Sequence, residues 1–176
     1  MHPTAARVRD WFLLGLACCL LPACGELNPD PQAREAAEWA LQRGGTVRVF
    51  DIPGEIRSLG RLPRSGFALE EINMNELGFE QEPVTDEELR VLEGLTNLRS
   101  LGLYGSRVTD KGAETIAKLT TLRELELSQS RITDVGLAKL ATLPNLEKLF
   151  IRNVGDGVTD EGAAAFERQS DAMLYR

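Results

Sequence analysis

An aliphatic-Thr-Asp tripeptide occurs four times, as Val84-Thr85-Asp86, Val108-Thr109-Asp110, Ile132-Thr133-Asp134 and Val158-Thr159-Asp160, with spacings of 24, 24 and 26 residues. Self-similarity at such a period restricts the chain to an array of like units, each too small to bury its own apolar face without a neighbour. Between the tripeptides, Leu95 to Leu103, Leu119 to Leu127 and Leu143 to Ile151 align, each carrying an L-x-x-L-x-L core. Side chains alternate along a strand, so Leu101 and Leu103 enter the core while Gly102 between them faces out. The Thr-Asp pair then starts a helix, the hydroxyl capping free N–H groups and the carboxylate complementing the helix dipole. Thr85-Asp86-Glu87-Glu88 has the form of a capping box. Leu89, Leu92 and Leu95, then Ile116 and Leu119, then Leu137, Leu140 and Leu143 supply the inward faces. Because the aspartates recur once per unit at a helix start, capping explains them better than catalysis does.

The frame extends in both directions. Leu69-Glu70-Glu71-Ile72-Asn73-Met74 fits it, with Glu80 to Pro83 lengthening the following turn, so the repeat region runs over 69–176. Asp160 to Arg168 reads as a final helix and Met173-Leu174-Tyr175 as a last short strand. Val154-Gly155-Asp156-Gly157 adds two residues to the third copy and reads as a bulged turn rather than a calcium loop, since it lacks the acidic spacing such loops need. Upstream, residues 31–68 supply an N-terminal cap of helix, strand and loop. Asp30 is the expected helix N-cap with Pro31 at the first helical position, the helix ends at Gly44-Gly45, and Thr46 to Phe50 alternates as a strand. Asp51 to Gly66, with Pro53-Gly54, Gly60, Pro63 and Gly66, is a long surface loop in which Arg57, Arg61 and Arg64 cluster. A patch for anions or lipid headgroups and a solvated loop are both open readings of that cluster, and the solvated loop is favoured.

The N-terminus reads as a processing signal over residues 1–23. Arg7 and Arg9 precede an apolar run from Trp11 to Leu21 that is shorter than the roughly 20 residues a spanning helix needs. Leu21-Pro22-Ala23-Cys24 resembles the lipobox of bacterial lipoproteins. That resemblance implies acylation of Cys24, a tether over 24–30 and residence in the bacterial cell envelope, with Gly25 pointing to the outer membrane by the enterobacterial sorting rule. An ordinary secretory signal is the alternative. Removal of the segment takes away His2, Cys18 and Cys19, and with them the means to build a disulfide, a Cys/His zinc site or a Cys-His or Ser-His-Asp centre. It leaves 18 basic and 26 acidic residues, a net charge of -8, which argues against a nucleic-acid partner. No cofactor, metal or catalytic residue is indicated.

The repeats resemble leucine-rich repeats with a Thr-Asp-x-Gly-Leu helix start, related to the ribonuclease-inhibitor-like and cysteine-containing kinds. Gly112, Gly136 and Gly162 match the glycine, and Glu88 stands in its place in the first copy. Ser106 and Ser130 replace the family's Asn or Cys after the strand, where a serine hydroxyl can still bond turn backbone. The resemblance implies an α/β fold, a leucine-rich-repeat solenoid with a parallel concave sheet and convex helices, and binding of a protein or peptide. The outward strand positions form three columns: Glu71, Ser100, Glu124 and Lys148; Asn73, Gly102, Glu126 and Phe150; Asn75, Tyr104, Ser128 and Arg152. Tyr104, Glu124, Glu126, Ser128, Lys148, Phe150 and Arg152 are the candidate partner-binding residues, on a composition of aromatic and basic side chains typical of contact patches. The expected function is a lipid-anchored protein-binding module and not an enzyme. A structural or self-assembling envelope protein is the alternative, and a carboxylate-based hydrolase is less favoured.

Overall fold

The computed structural model describes residues 29–77 and 81–176. The signal segment 1–23, Cys24, most of the tether and Glu80 lie outside the described residues. Helix α1 (Ala33–Gln42) opens the fold, buries Ala33, Ala36, Ala37, Ala40 and Leu41 on one face, and ends where Gly44 takes the left-handed φ of 82°. Strand β1 (Thr46–Val49) follows, then β2 (Leu69–Asn73), β3 (Ser100–Gly102), helix α2 (Asp110–Ile116), β4 (Glu124–Glu126), α3 (Asp134–Leu140), β5 (Lys148–Phe150), α4 (Asp160–Gln169) and β6 (Met173–Tyr175). The six strands make one sheet in chain order, with β1 antiparallel to β2 and all later pairs parallel.

The register follows from the repeat. Ile72, Leu101, Leu125, Leu149 and Leu174 pair in one row, and Glu71, Ser100, Glu124, Lys148 and Met173 in the row beside it. A one-residue slip would turn every one of these leucines to solvent, which is why the hydrophobic pattern sets the register. The leucines continue inward as stacked rows: Leu98, Leu122 and Leu146; Leu103, Leu127 and Ile151; Val84, Val108, Ile132 and Val158, all buried. Each such side chain contributes about 1.5–3 kcal/mol by leaving water.

Two expectations at the N-terminal end are corrected. Asp30 does not cap α1: the helix begins at Ala33 with Gln32 as its flanking residue and no side-chain cap. The Asp30 carboxylate instead reaches across 66 residues, where Oδ1 accepts the Thr96 N–H at 2.8 Å and its hydroxyl at 2.6 Å. The backbone carbonyl of Asp30 accepts the Ala33 N–H at 3.0 Å, so Asp30 still serves the helix start, through its main chain and not its side chain. The first copy, moreover, forms a 3-10 turn over Glu88–Leu92 instead of an α-helix, although Leu89 and Leu92 are buried as the pattern requires. Its capping-box carboxylate is in place, Glu88 Oε2 accepting the Thr85 N–H at 3.0 Å and its hydroxyl at 3.1 Å.

The long loop does more than connect. Ile56 bridges to Val47, exchanging backbone hydrogen bonds of 2.8 and 3.1 Å, so the loop covers the outer edge of β1. Ile56, Leu62 and Phe67 are buried while a 3-10 turn, Leu59–Arg61, stands exposed between them.

Candidate functional site

The helix-start aspartates bind from one unit to the next. Asp86 Oδ1 and Oδ2 accept the N–H and hydroxyl of Thr109 at 2.8 and 2.6 Å; Asp110 does the same for Thr133 at 2.9 and 2.6 Å, and Asp134 for Thr159 at 2.9 and 2.8 Å. The threonine hydroxyls also cap their own helices, accepting from Lys111, Val135 and Gly162 N–H. Each aspartate oxygen occupies the space a Cβ would need at Gly112, Gly136 or Gly162 of the following unit. That is the physical reason for glycine two residues after the aspartate. Among the described residues no earlier aspartate is bonded to Thr85, and there Glu88, at the glycine's position, supplies the carboxylate itself and pairs with Arg43 at 2.7 Å. These carboxylates are structural ties between units.

The serines after the strands behave otherwise than expected. Ser106 and Ser130 are 4% and 6% exposed, and their hydroxyls find no partner among the described residues. The turn backbone they were expected to serve is satisfied by itself, through Ser106 N–H to Leu103 O, Arg107 N–H to Val84 O and Arg131 N–H to Val108 O.

The outward sheet face divides into two halves. In the first, Asn75 folds over Gly102, where a Cβ would lie 2.6 Å from its amide nitrogen, and its Oδ1 accepts the Tyr104 N–H at 2.9 Å. Tyr104 itself is 45% exposed at the strand end. In the second half Glu124 pairs with Lys148 at 3.3 Å, and Glu126 Oε1 curls back to accept the Ser128 N–H at 2.6 Å. Ser128 leaves the candidate set: it is 2% exposed because its hydroxyl turns under the strand end to accept the Arg152 N–H at 2.8 Å. Lys148 and Arg152 are exposed and Phe150 is half-buried.

The ring beside Phe150 is Tyr175, stacked with centroids 4.5 Å apart and planes 14° from parallel. Met173, 62% exposed, accepts the Tyr175 hydroxyl on its sulfur at 3.1 Å. Tyr175 and Met173 fall outside the leucine-core frame, since β6 follows α4 without the L-x-x-L approach. The alternation about Leu174 was the signal that would have added them to the columns. The structure thus joins Lys148, Phe150, Tyr175, Met173 and Arg152 at the C-terminal half of the face.

On the opposite surface, ion pairs join consecutive units: Glu87 with Lys111 at 3.0 Å, Glu93 with Lys118 at 3.3 Å and Glu114 with Lys139 at 2.6 Å. The Lys139 hydrogen bond, and then its charge, hold the Glu114 carboxyl below its ordinary value of 4.5; Lys111 acts likewise on Glu87. Among the described residues no group of three or more His, Cys, Asp or Glu side chains is placed to hold a metal, and no helix is long and apolar enough to cross a membrane.

Parallel strands in chain order, aliphatic rows under them and ties between units are consistent with an α/β architecture of leucine-rich-repeat type. The family model described as Leucine Rich repeat matches residues 118–141, from just after α2 through β4 and α3. A search of curated proteins gave no match to the chain.

Proposed function

We propose that this chain is a lipid-anchored protein-binding module of a bacterial cell envelope, a short leucine-rich-repeat solenoid that presents its open sheet face to a protein or peptide and performs no catalysis. The observation that carries the reading is the Phe150–Tyr175 stack, flanked by exposed Lys148, Arg152 and Met173 on a hydrogen-bonded parallel ladder. Aromatic and basic side chains on a rigid surface bind with little ordering cost, and such residues dominate the energetics of interfaces. The lipobox-like Leu21-Pro22-Ala23-Cys24 supports the anchor, and Gly25 after it supports the outer membrane. Tyr104, Glu124 and Glu126 complete the face at its edges.

A pull-down from envelope extract with the full chain tests the face. A specific partner is expected to be recovered by the wild-type chain and lost on Phe150→Ala/Tyr175→Ala, since central aromatic anchors cost about 2 kcal/mol or more when truncated. Equal recovery by both proteins would remove the aromatic stack from the interface. Mass spectrometry of Cys24 tests the anchor separately, and an unmodified cysteine would overturn it.

A further inference from the structure

We infer that the loop from Ile52 to Gly66 docks on an anionic lipid surface and orients the domain with its β1 edge toward the membrane. The chain carries a net charge of -7, yet Arg57, Arg61 and Arg64 fall within eight residues of this loop, with acidic groups only at Asp51 and Glu55. Glu55 is taken up by Arg57 at 2.7 Å, whereas Arg61 and Arg64 have no carboxylate partner among the described residues. Leu59, 47% exposed, stands between Arg57 and Arg61 on the 3-10 turn, and Ile52 is 37% exposed at the loop's start. Exposed aliphatic side chains interleaved with unpaired guanidinium groups fit an interface of acyl chain and phosphate headgroup better than they fit water. Buried Ile56, Leu62 and Phe67 anchor the loop, so the exposed side chains project from a backbone already held in place.

The route of the chain argues for the same occupant. Pro29, where the described residues begin, lies against Gly66 at the end of this loop. Arg34 stands over the Phe67 ring at 5.5 Å and donates to the Pro63 carbonyl, adding a further cation beside it, although Glu38 lies 3.6 Å from the same guanidinium. Five peptide units separate Cys24 from Pro29, a reach of at most about 18 Å. A lipid on Cys24 would therefore keep this loop, rather than β6, within reach of the bilayer, where the anionic headgroups decide whether it docks. That step rests on the anchor proposed above; the charge and apolar exposure of the loop do not.

The test uses the full chain reconstituted into vesicles of phosphatidylcholine alone or with phosphatidylglycerol. Leu59→Trp is the reporter, lipids brominated along the acyl chains are the quencher, and the signal of the unsubstituted chain is subtracted to remove Trp11 and Trp39. Quenching at position 59 is expected with phosphatidylglycerol and not with phosphatidylcholine alone. Each arginine at an anionic surface shifts the docked-to-free ratio by roughly five-fold, so Arg61→Gln/Arg64→Gln is expected to lower that ratio about 25-fold. Both arginines are exposed and have no carboxylate partner among the described residues, so the double variant is expected to keep the fold. Equal quenching on the two lipids, or quenching unchanged by the double substitution, overturns the inference. Mass spectrometry of Cys24 on the same sample separates the two readings. Lipid-dependent quenching with an unacylated Cys24 supports the docking loop and removes the anchor, and an acylated Cys24 without lipid-dependent quenching does the reverse.

Discussion

At Gly136 the added methyl of an alanine would meet the Asp110 carboxylate, and the Ile132 side chain at 3.1 Å leaves little room to move aside. Asp110 in turn accepts from Thr133 N–H, Thr133 hydroxyl and, at 3.0 Å, Gly136 N–H. Gly136→Ala is therefore expected to destabilise the protein by about 1–3 kcal/mol, the usual cost of forcing a group into filled space. In an Asp110→Ala background only the Ile132 contact at 3.1 Å remains, and alanine gains up to about 1 kcal/mol over glycine in a helix, so the same substitution should cost clearly less there. Urea denaturation of the four proteins checks this, and an equal cost in both backgrounds would show that the aspartate is not what excludes the side chain. The recurrence of Thr-Asp was legible in the sequence, as was its capping role. Its second role was not, because a carboxylate reaching 23 residues ahead leaves no local trace beyond the glycine it demands. Asp30 misled for the same reason: it has the form of an N-cap, but its partner Thr96 comes near only once the first repeat has closed.

Consecutive units are joined on the helix side by pairs that recur at the repeat spacing, and the shortest of them is Glu114 with Lys139 at 2.6 Å. A carboxyl whose folded value is depressed adds stability above its unfolded value, and loses it as the pH falls through the folded one. Glu114 lies below 4.5 through the Lys139 hydrogen bond and charge, so its contribution is complete above that pH and fades beneath it. Glu114→Gln is accordingly expected to lower the Tm slightly at pH 7 and not at all once the medium is acid enough to protonate the folded carboxyl. Salt should shrink the difference at neutral pH, since the Glu114 carboxylate stands in solvent. A Tm difference independent of pH would assign the effect to packing. The pairing was within reach of the sequence, because residues one period apart become neighbours on stacked units. The 3-10 turn of the first copy was not, since Leu89 and Leu92 keep the apolar spacing of a helix whichever way the backbone winds.

Across the whole molecule the period made the middle of the fold legible and left its ends obscure. Rows through Leu101, Leu125 and Leu149 follow from spacing alone, because a 24-residue repeat stacks like on like. The antiparallel entry of β1 beside β2 has no such signal, as these strands are separated by a loop with no apolar period. The two ends also differ in how they are finished. At the N-terminal end the edge is closed by Ile56 pairing with Val47 and by α1 over β1 and β2. At the other, β6 pairs only with β5 among the described strands, and Asp160, the last helix-start aspartate, meets Arg176 at 2.9 Å in place of a threonine. In a stack where each unit is held by its neighbours, local opening starts where a described strand is paired on one side only. Amide hydrogen exchange should therefore rise toward the C-terminus. The Met173 N–H, bonded to Glu147 O at 2.8 Å, is expected to exchange at least about ten-fold faster than the Leu127 N–H, bonded to Phe150 O at the same distance. Equal bond lengths make the comparison one of position in the stack and not of the hydrogen bond itself. Uniform protection from β2 to β6 would mean that the sheet opens only as a whole, and that the C-terminal end carrying the Phe150–Tyr175 stack is as firmly held as the middle.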